Sequence, residues 1–167
     1  MRRGSSVGVI LLLAFGAVAG PLGAQEPGGA EPPGERDRGF RLEQNYPNPF
    51  NPTTRIPFFL HEELFEAGGT VLVTLRIYNV LQQLVAVPTA LNHPDGNGVP
   101  VNRLTYTTGG RKEAFWDGLD RSGKKVASGV YYLQLRVDCL SAPALAKPLR
   151  SARGCGTSQV RKMVVTK

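Results

Sequence analysis

The segment from Gln44 to Thr54 constrains the fold of this chain more than any other, because three of its residues are prolines. Each proline fixes its own φ angle and lacks the backbone N–H donor that a helix or a sheet ladder needs. Each also pushes the preceding residue, Tyr46, Asn48 or Asn51, away from helical backbone angles. The segment therefore predicts a stiff, extended strip that leads into a folded β domain. Its aromatic residues, Tyr46 and Phe50, are candidate anchors into that domain.

The chain begins with the features of a secretory signal peptide. Two arginines follow Met1, an apolar run extends from Val7 to Ala19, and small residues lead up to Ala24. This order of basic, apolar and small residues predicts that residues 1–24 are a cleaved signal peptide. The apolar run is too short to span a bilayer comfortably. We therefore expect an exported protein with no transmembrane span after cleavage.

Residues 25–39 are rich in Pro, Gly, Glu and Arg and nearly lack apolar side chains, which predicts a disordered linker. The net charge of the whole chain is +7, and without Arg2 and Arg3 it is +5, from 18 basic and 13 acidic residues. This mild excess is spread along the chain and favours a solvated surface over nucleic-acid binding. Attraction to an anionic cell surface remains an open alternative.

The rest of the chain, residues 40–167, alternates between apolar and polar side chains with turn residues between the runs. The clearest strand is Thr70–Tyr78, in which every second side chain is aliphatic. Pro57 confines an earlier strand to a sheet edge or to a position where no donor is needed. About seven short strands fit an immunoglobulin-like antiparallel β-sandwich. They are predicted at 53–60, 70–78, 84–87, 103–107, 112–116, 129–137 and 159–167, with loops at 91–101 and 138–158.

The two cysteines, Cys139 and Cys155, form an even pair in a chain that we expect to be exported, which predicts one disulfide. The bond would close a loop of about 15–17 residues and stabilise the fold by roughly 3 kcal/mol in the chain-entropy account. A zinc site would need more ligands than these cysteines and the distant His61 and His93 supply.

The sequence contains no pattern typical of an enzyme. Asp117 and Asp120 are compatible with calcium, but Asp-Gly pairs are common turn residues and the EF-hand spacing is absent. His61 and His93 stand in polar, turn-like surroundings, without a Gly-x-Ser-x-Gly motif to supply a nucleophile. Trp116 is more typical of core or end packing than of a sugar platform. We expect no catalytic activity, no cofactor and no metal.

Four segments occur in a fixed order, namely 42–54, 77–83, 116–132 and 161–167. Together they resemble the type A C-terminal sorting domain of the type IX secretion system, and the fold also resembles the Ig-like domain of flagellar hook-capping proteins. The resemblance gives a structural signature of Asn45, Tyr46, Pro47, Asn48, Pro49, Phe50, Asn51, Pro52, Trp116, Asp117, Gly118, Gly129 and Tyr131. It also gives a sorting signal in the terminal strand, made of Arg161, Lys162, Met163, Val164, Val165 and Lys167.

The resemblance implies a non-enzymatic address that the outer-membrane secretion machinery reads after export. It also implies possible removal by a sortase-like protease and contact with anionic surface polysaccharide. The location would be the periplasm in transit, and then the cell surface or the medium. The alternative is a free-standing Ig-like structural or protein-binding module, of a hook-capping or adhesin type.

The chain departs from the family pattern in three places. Only the linker 25–39 occupies the place where family members carry cargo. Gln82 stands where the family usually has glycine, which predicts a looser turn. The segments 88–110 and 138–158 are longer than is typical of the family.

Overall fold

The described part of the chain is a sandwich of two antiparallel β-sheets, which confirms the predicted all-β, immunoglobulin-like class. A computed structural model describes residues 39–140 and 154–166. The predicted signal peptide 1–24 and all of the linker except Gly39 lie outside these residues. The described part contains nine strands: β1 Phe40–Leu42, β2 Thr54–Leu60, β3 Thr70–Tyr78, β4 Leu84–Ala86, β5 Thr89–Leu91, β6 Leu104–Tyr106, β7 Gly110–Trp116, β8 Gly129–Leu140 and β9 Thr157–Val165.

The first sheet has the strand order β1-β2-β7-β5, and the second has the order β4-β3-β8-β9. β6 also pairs with β3, opposite Val71–Val73, while β4 pairs with the far end of β3 at Ile77 and Tyr78. All of these strand pairs are antiparallel. The terminal strand β9 is therefore an outer strand of the second sheet, and β1 is an outer strand of the first.

The core lies between the sheets and follows the alternation that the sequence predicted. On β3 the side chains of Val71, Val73, Leu75 and Ile77 are fully buried. In the first sheet, every second residue of β2 from Ile56 to Leu60 is also fully buried. Burying one such side chain contributes about 1.5–3 kcal/mol, so this interlayer contact is the main source of stability.

Two strands and two boundaries differ from the prediction. β1 and β5 were not predicted, because three residues are too few for an alternation to be recognised. The predicted loop 138–158 is too long, since β8 continues to Leu140 and β9 already begins at Thr157. Cys139 therefore lies in a strand and not in a loop.

Pro57 occupies an interior strand, where its missing donor has no consequence. β2 lies between β1 and β7, so the edge alternative is wrong. The Pro57 carbonyl accepts a hydrogen bond from the Glu43 N–H at 3.1 Å, just beyond the end of β1. The N–H and C=O of one strand residue point to the same side. The proline nitrogen therefore faces the place where β1 has ended and no ladder acceptor is needed.

Cys139 and Cys155 form the predicted disulfide, with a Cα–Cα distance of 5.3 Å. It joins the end of β8 to the turn before β9. A short 3₁₀ helix, Glu62–Gly68, follows β2. Within the described residues, no helix is long and apolar enough to cross a membrane.

The β3–β4 turn is well formed although Gln82 replaces the glycine of the family pattern. Gln82 has a positive φ of 59°. The Asn79 side-chain oxygen accepts hydrogen bonds from the N–H groups of Leu81 (2.9 Å) and Gln83 (3.0 Å). The expected loosening of the turn is therefore absent. The backbone of Gln82 adopts a left-handed conformation that glycine would adopt more readily.

Gln82→Gly should raise the free energy of unfolding by about 0.5–1 kcal/mol, because it relieves the left-handed backbone strain at this position. Gln83→Gly is the matched control, and it should lower the same quantity, since Gln83 has no positive φ and bonds Asn79. Urea unfolding of both variants measures the difference. A lower stability for Gln82→Gly than for the wild type would contradict the assignment.

Tyr106 sets an alkaline limit on the stability of the sandwich. Its side chain is 6% exposed, and burial raises the pKa of its hydroxyl from 10.0 to about 12. The folded state holds this proton more tightly than the unfolded chain does. The resulting stability is complete below pH 10 and is lost as the pH rises through 12, which amounts to about 2–3 kcal/mol.

Tyr106→Phe should therefore lose less free energy of unfolding between pH 9.5 and 12 than the wild type loses. Urea unfolding at a series of pH values, followed by circular dichroism, measures this difference. Curves that remain parallel across the whole range would show that Tyr106 does not set the limit.

Candidate functional site

The proline-containing segment Gln44–Thr54, which we call the strip, lies along the outer edge of β9. The Phe50 N–H donates to the Val164 carbonyl (3.0 Å), and the Thr166 N–H donates to the Phe50 carbonyl (2.9 Å). The Asn48 side-chain oxygen accepts from the Val164 N–H (2.9 Å). These contacts satisfy backbone groups that an edge strand would otherwise leave open. The first and last signature segments of the sequence are therefore direct neighbours.

Phe50 is the residue that fixes the strip to the core, as predicted. It is 1% exposed, and its ring lies 5.4 Å from the ring of Trp116. Trp116 in turn packs against Tyr131 at 5.8 Å, and its Nε1–H donates to the Leu119 carbonyl at 2.9 Å. Trp116 is thus a core residue, in agreement with the packing interpretation. Three aromatic residues of the signature meet at one end of the sandwich.

Tyr46 does not enter the core, so the prediction that its ring anchors the strip is wrong. Its side chain is 43% exposed, and its hydroxyl donates to the Glu113 carboxylate on the outer face of the first sheet. This hydrogen bond raises the pKa of the Tyr46 hydroxyl. The residue is held by its backbone, which exchanges two hydrogen bonds of 2.9 Å with Arg55. Glu113 also accepts a hydrogen bond from Arg55 Nη1 at 2.9 Å.

Asn45 holds the start of the strip from inside. It is 2% exposed, and its Nδ2 donates to the Pro47 carbonyl (3.1 Å) and to the Thr54 hydroxyl oxygen (3.0 Å). The Thr54 hydroxyl donates to the same Pro47 carbonyl at 3.1 Å. These bonds tie the two ends of the strip to each other. The remaining signature residues of the strip are exposed, namely Pro47, Asn48, Pro49, Asn51 and Pro52.

Gly118 lets the turn after β7 approach the strip. Its φ is 76°, and a Cβ at this position would lie 2.4 Å from the Pro52 carbonyl oxygen. Any other residue would therefore push the strip away. This contact links two signature segments that are far apart in the sequence. Gly129, another signature residue, begins β8 and pairs with Val165 of the terminal strand.

The carboxylates of Asp117 and Asp120 serve the same turn. Asp117 Oδ1 accepts from the Leu119 N–H at 3.0 Å, and Asp120 Oδ1 accepts from the Ser122 N–H at 2.8 Å. A hydrogen bond from the Ser122 hydroxyl is the main cause that lowers the pKa of Asp120. This geometry agrees with the turn interpretation. Among the described residues, no three His, Cys, Asp or Glu side chains come together in a way that would hold a metal ion.

The predicted sorting signal faces in two directions. Met163 is fully buried and Val165 is 5% exposed, so these side chains are part of the core. Lys162 and Val164 point to the outer face of the second sheet, where Lys162 is exposed and Val164 is half-buried. Arg161 faces the sheet opposite, and Lys167 lies outside the described residues. A partner that binds the folded domain therefore meets only part of this segment.

Gln159 is a structural residue that the sequence analysis did not single out. It is 3% exposed, its Oε1 accepts from the Leu42 N–H (2.7 Å), and its Nε2 donates to the Phe40 carbonyl (2.9 Å). Its side-chain amide thus makes the two backbone hydrogen bonds that a neighbouring strand would otherwise make to β1. Arg161 Nε continues the pattern by donating to the Leu42 carbonyl at 3.1 Å. The signal was available, because a polar residue at an inward position of an alternating strand needs a buried partner.

His93 is buried, which corrects the expectation of polar, turn-like surroundings. It is 8% exposed and packs against the Tyr106 ring at 4.8 Å. Its Nδ1 accepts from the Asp95 N–H at 3.1 Å, which leaves Nε2 to donate to the Thr105 carbonyl at 2.9 Å. Both ring nitrogens are therefore occupied by backbone groups. The other histidine, His61, lies against the Phe59 ring at 5.1 Å.

Neither a protein-family model nor a curated protein matches this chain. The solved structures that this chain matches include two proteins of one bacterium. Dimeric latent PorU from Porphyromonas gingivalis matches 75% of this chain at 20% identity with a TM-score of 0.46. PorZ, an essential bacterial surface component of the type IX secretion system of the same organism, matches 75% at 18% identity with a TM-score of 0.35. The match covers only 9% and 11% of those two chains.

Gln159→Leu should lower the free energy of unfolding by about 2–4 kcal/mol, because it leaves the Leu42 N–H and the Phe40 carbonyl buried without partners. Gln134→Leu on β8 is the control and should change it by less than about 0.5 kcal/mol, since that side chain is half exposed and has only a 3.4 Å contact with Tyr78. Urea unfolding compares the two. Equal effects would show that Gln159 does not serve as a strand substitute.

Proposed function

We propose that this chain is a non-enzymatic sorting and cell-surface-targeting domain that the type IX secretion machinery recognises after export. The ordered signature in the sequence suggests this role. The observation that carries the proposal is the contact between the strip and β9. The two ends of the signature are far apart in the sequence and are joined by hydrogen bonds. The Phe50 N–H donates to the Val164 carbonyl, and the Asn48 side-chain oxygen accepts from the Val164 N–H.

The contact makes the address a property of the folded domain. The outward surface at this place combines residues from both segments, namely Asn48 and Pro49 of the strip with Lys162 and Thr166 of the terminal strand, all of which are exposed. An unfolded chain does not bring these residues together. We therefore infer that the machinery recognises a composite surface and not a linear peptide.

The disulfide supports an extracytoplasmic location, because such bonds persist in oxidising compartments. Both ring nitrogens of His93 and the carboxylates of Asp117 and Asp120 form hydrogen bonds with backbone groups. This supports a non-enzymatic role. Processing by a sortase-like protease and contact with anionic surface polysaccharide are further parts of the proposal. They rest on the resemblance alone.

Lys162→Glu tests the composite surface without removing core side chains. Deleting residues 161–167 would be a poor test, because it would also remove the buried Met163 and Val165. The full chain is produced in a bacterium that has type IX machinery, and protease accessibility measures the share at the surface. The wild type should reach the surface or the medium, and Lys162→Glu should reduce that share at least threefold with an unchanged melting temperature.

Lys124→Glu is the matched control, since Lys124 is exposed in the turn after β7 and the substitution changes the charge by the same amount. It should leave the surface share unchanged. Wild-type protein that stays in the periplasm, or that reaches the surface equally in cells without the machinery, would overturn the sorting role. An intact mass for the surface form shows in addition whether residues 40–167 are removed, as the sortase step requires.

A further inference from the structure

The outer face of the second sheet carries a cluster of exposed apolar side chains, which we call the outer patch. Three large hydrophobic residues with unusual exposure gather here: Val80 (63%), Tyr132 (38%) and Val160 (53%). With Tyr78, Gln82 and Gln134 they line a groove of about 480 Å³. Contiguous apolar surface of this kind marks interaction sites more often than isolated exposed residues do.

The strand register shows which residues of the second sheet are neighbours in the patch. Tyr78, Tyr132 and Lys162 stand side by side on β3, β8 and β9, and Arg76, Gln134 and Val160 form the adjacent row. Two cations, Arg76 and Lys162, thus flank the apolar groove. Both are exposed, and neither forms an ion pair with another described residue.

The groove adjoins an uncovered part of the β9 edge. Val164 directs its N–H and C=O to the strip, and residues two apart in a strand direct these groups to the same side. Val160 therefore points both groups away from β8. Among the described residues neither group has a hydrogen-bond partner, because the strip covers β9 only from Lys162 onwards.

We propose that the outer patch and the open edge at Val160 together bind an extended, acidic segment of another protein, which adds as a strand beside β9. Strand addition supplies main-chain hydrogen bonds, and alternate side chains of the added segment enter the neighbouring groove. Apolar side chains would cover Val160 and Tyr132, and a carboxylate would pair with Lys162, while Arg76 adds to the positive field over the groove. This binding role goes beyond sorting and stands on the fold alone.

The probe is the peptide acetyl-Glu-Thr-Val-Thr-Phe-Thr-Asp-amide, in which the acidic and apolar side chains share one face of an extended strand. It is compared with a counterpart in which lysine replaces each acidic residue. Both are titrated into the ¹⁵N-labelled full chain and followed by NMR. The acidic peptide should bind with a Kd below about 1 mM and at least tenfold more tightly than its counterpart. It should also slow hydrogen exchange of the Val160 amide.

Two variants test the contacts separately. Val160→Pro removes the outward N–H without removing a bond to β8, and Tyr132→Ser removes a ring of the groove. Each should weaken binding at least fivefold, with folding checked by circular dichroism. Tyr46→Ser is the control, because Tyr46 has a similar exposure on the other sheet, and it should leave binding unchanged.

Several results would overturn the proposal. They are no saturable binding at 2 mM peptide, equal binding of the two peptides, or binding that survives both variants. Association with vesicles of phosphatidylglycerol that Val80→Ser abolishes would assign the patch to a lipid surface instead. A dimer of the full chain that Val160→Pro abolishes would assign it to a second copy.

Discussion

The structure depends on how the open backbone groups at the sheet edges are satisfied. A two-sheet sandwich leaves outer strands on both of its sides, and each outer strand exposes unpaired N–H and C=O groups. On one side Gln159 supplies both a donor and an acceptor to β1, and Arg161 supplies another donor. On the other side His93, from the loop after β5, donates to the carbonyl of Thr105 in β6. Side chains from the opposite sheet and from a loop thus complete the backbone pairing at the edges.

The strip performs the same task for β9 with a different chemistry. Its prolines lack N–H donors, so its own outer side offers little for a further strand to pair with. Phe50 and Asn48 nevertheless satisfy Val164 and Thr166. The segment covers an edge without creating a new one. This explains in physical terms why a proline-rich stretch precedes a β domain whose last strand is an outer strand.

The sequence predicted what depends on local pattern and missed what depends on neighbours. β3 was predicted because nine residues alternate, whereas β5 has three residues between Pro88 and Asn92 and shows no period. Phe50 and Trp116 were placed correctly by their size and apolar character. Tyr46 was not, because a tyrosine serves equally well in a core or as a surface hydrogen-bond donor, and Glu113 decides between them only in the fold.

The division of β9 into a covered and an open half separates two kinds of recognition. From Lys162 onwards, the strip fixes the backbone, so a partner can read only side chains and the exposed prolines. Around Val160, both the backbone groups and the apolar side chains are accessible to a partner. The boundary is set by Gln44, whose side chain makes the last contact of the strip with this edge. One strand can therefore serve a composite surface at its end and strand addition near its middle, and the side chain of Lys162 at the boundary is the group that the two sites share.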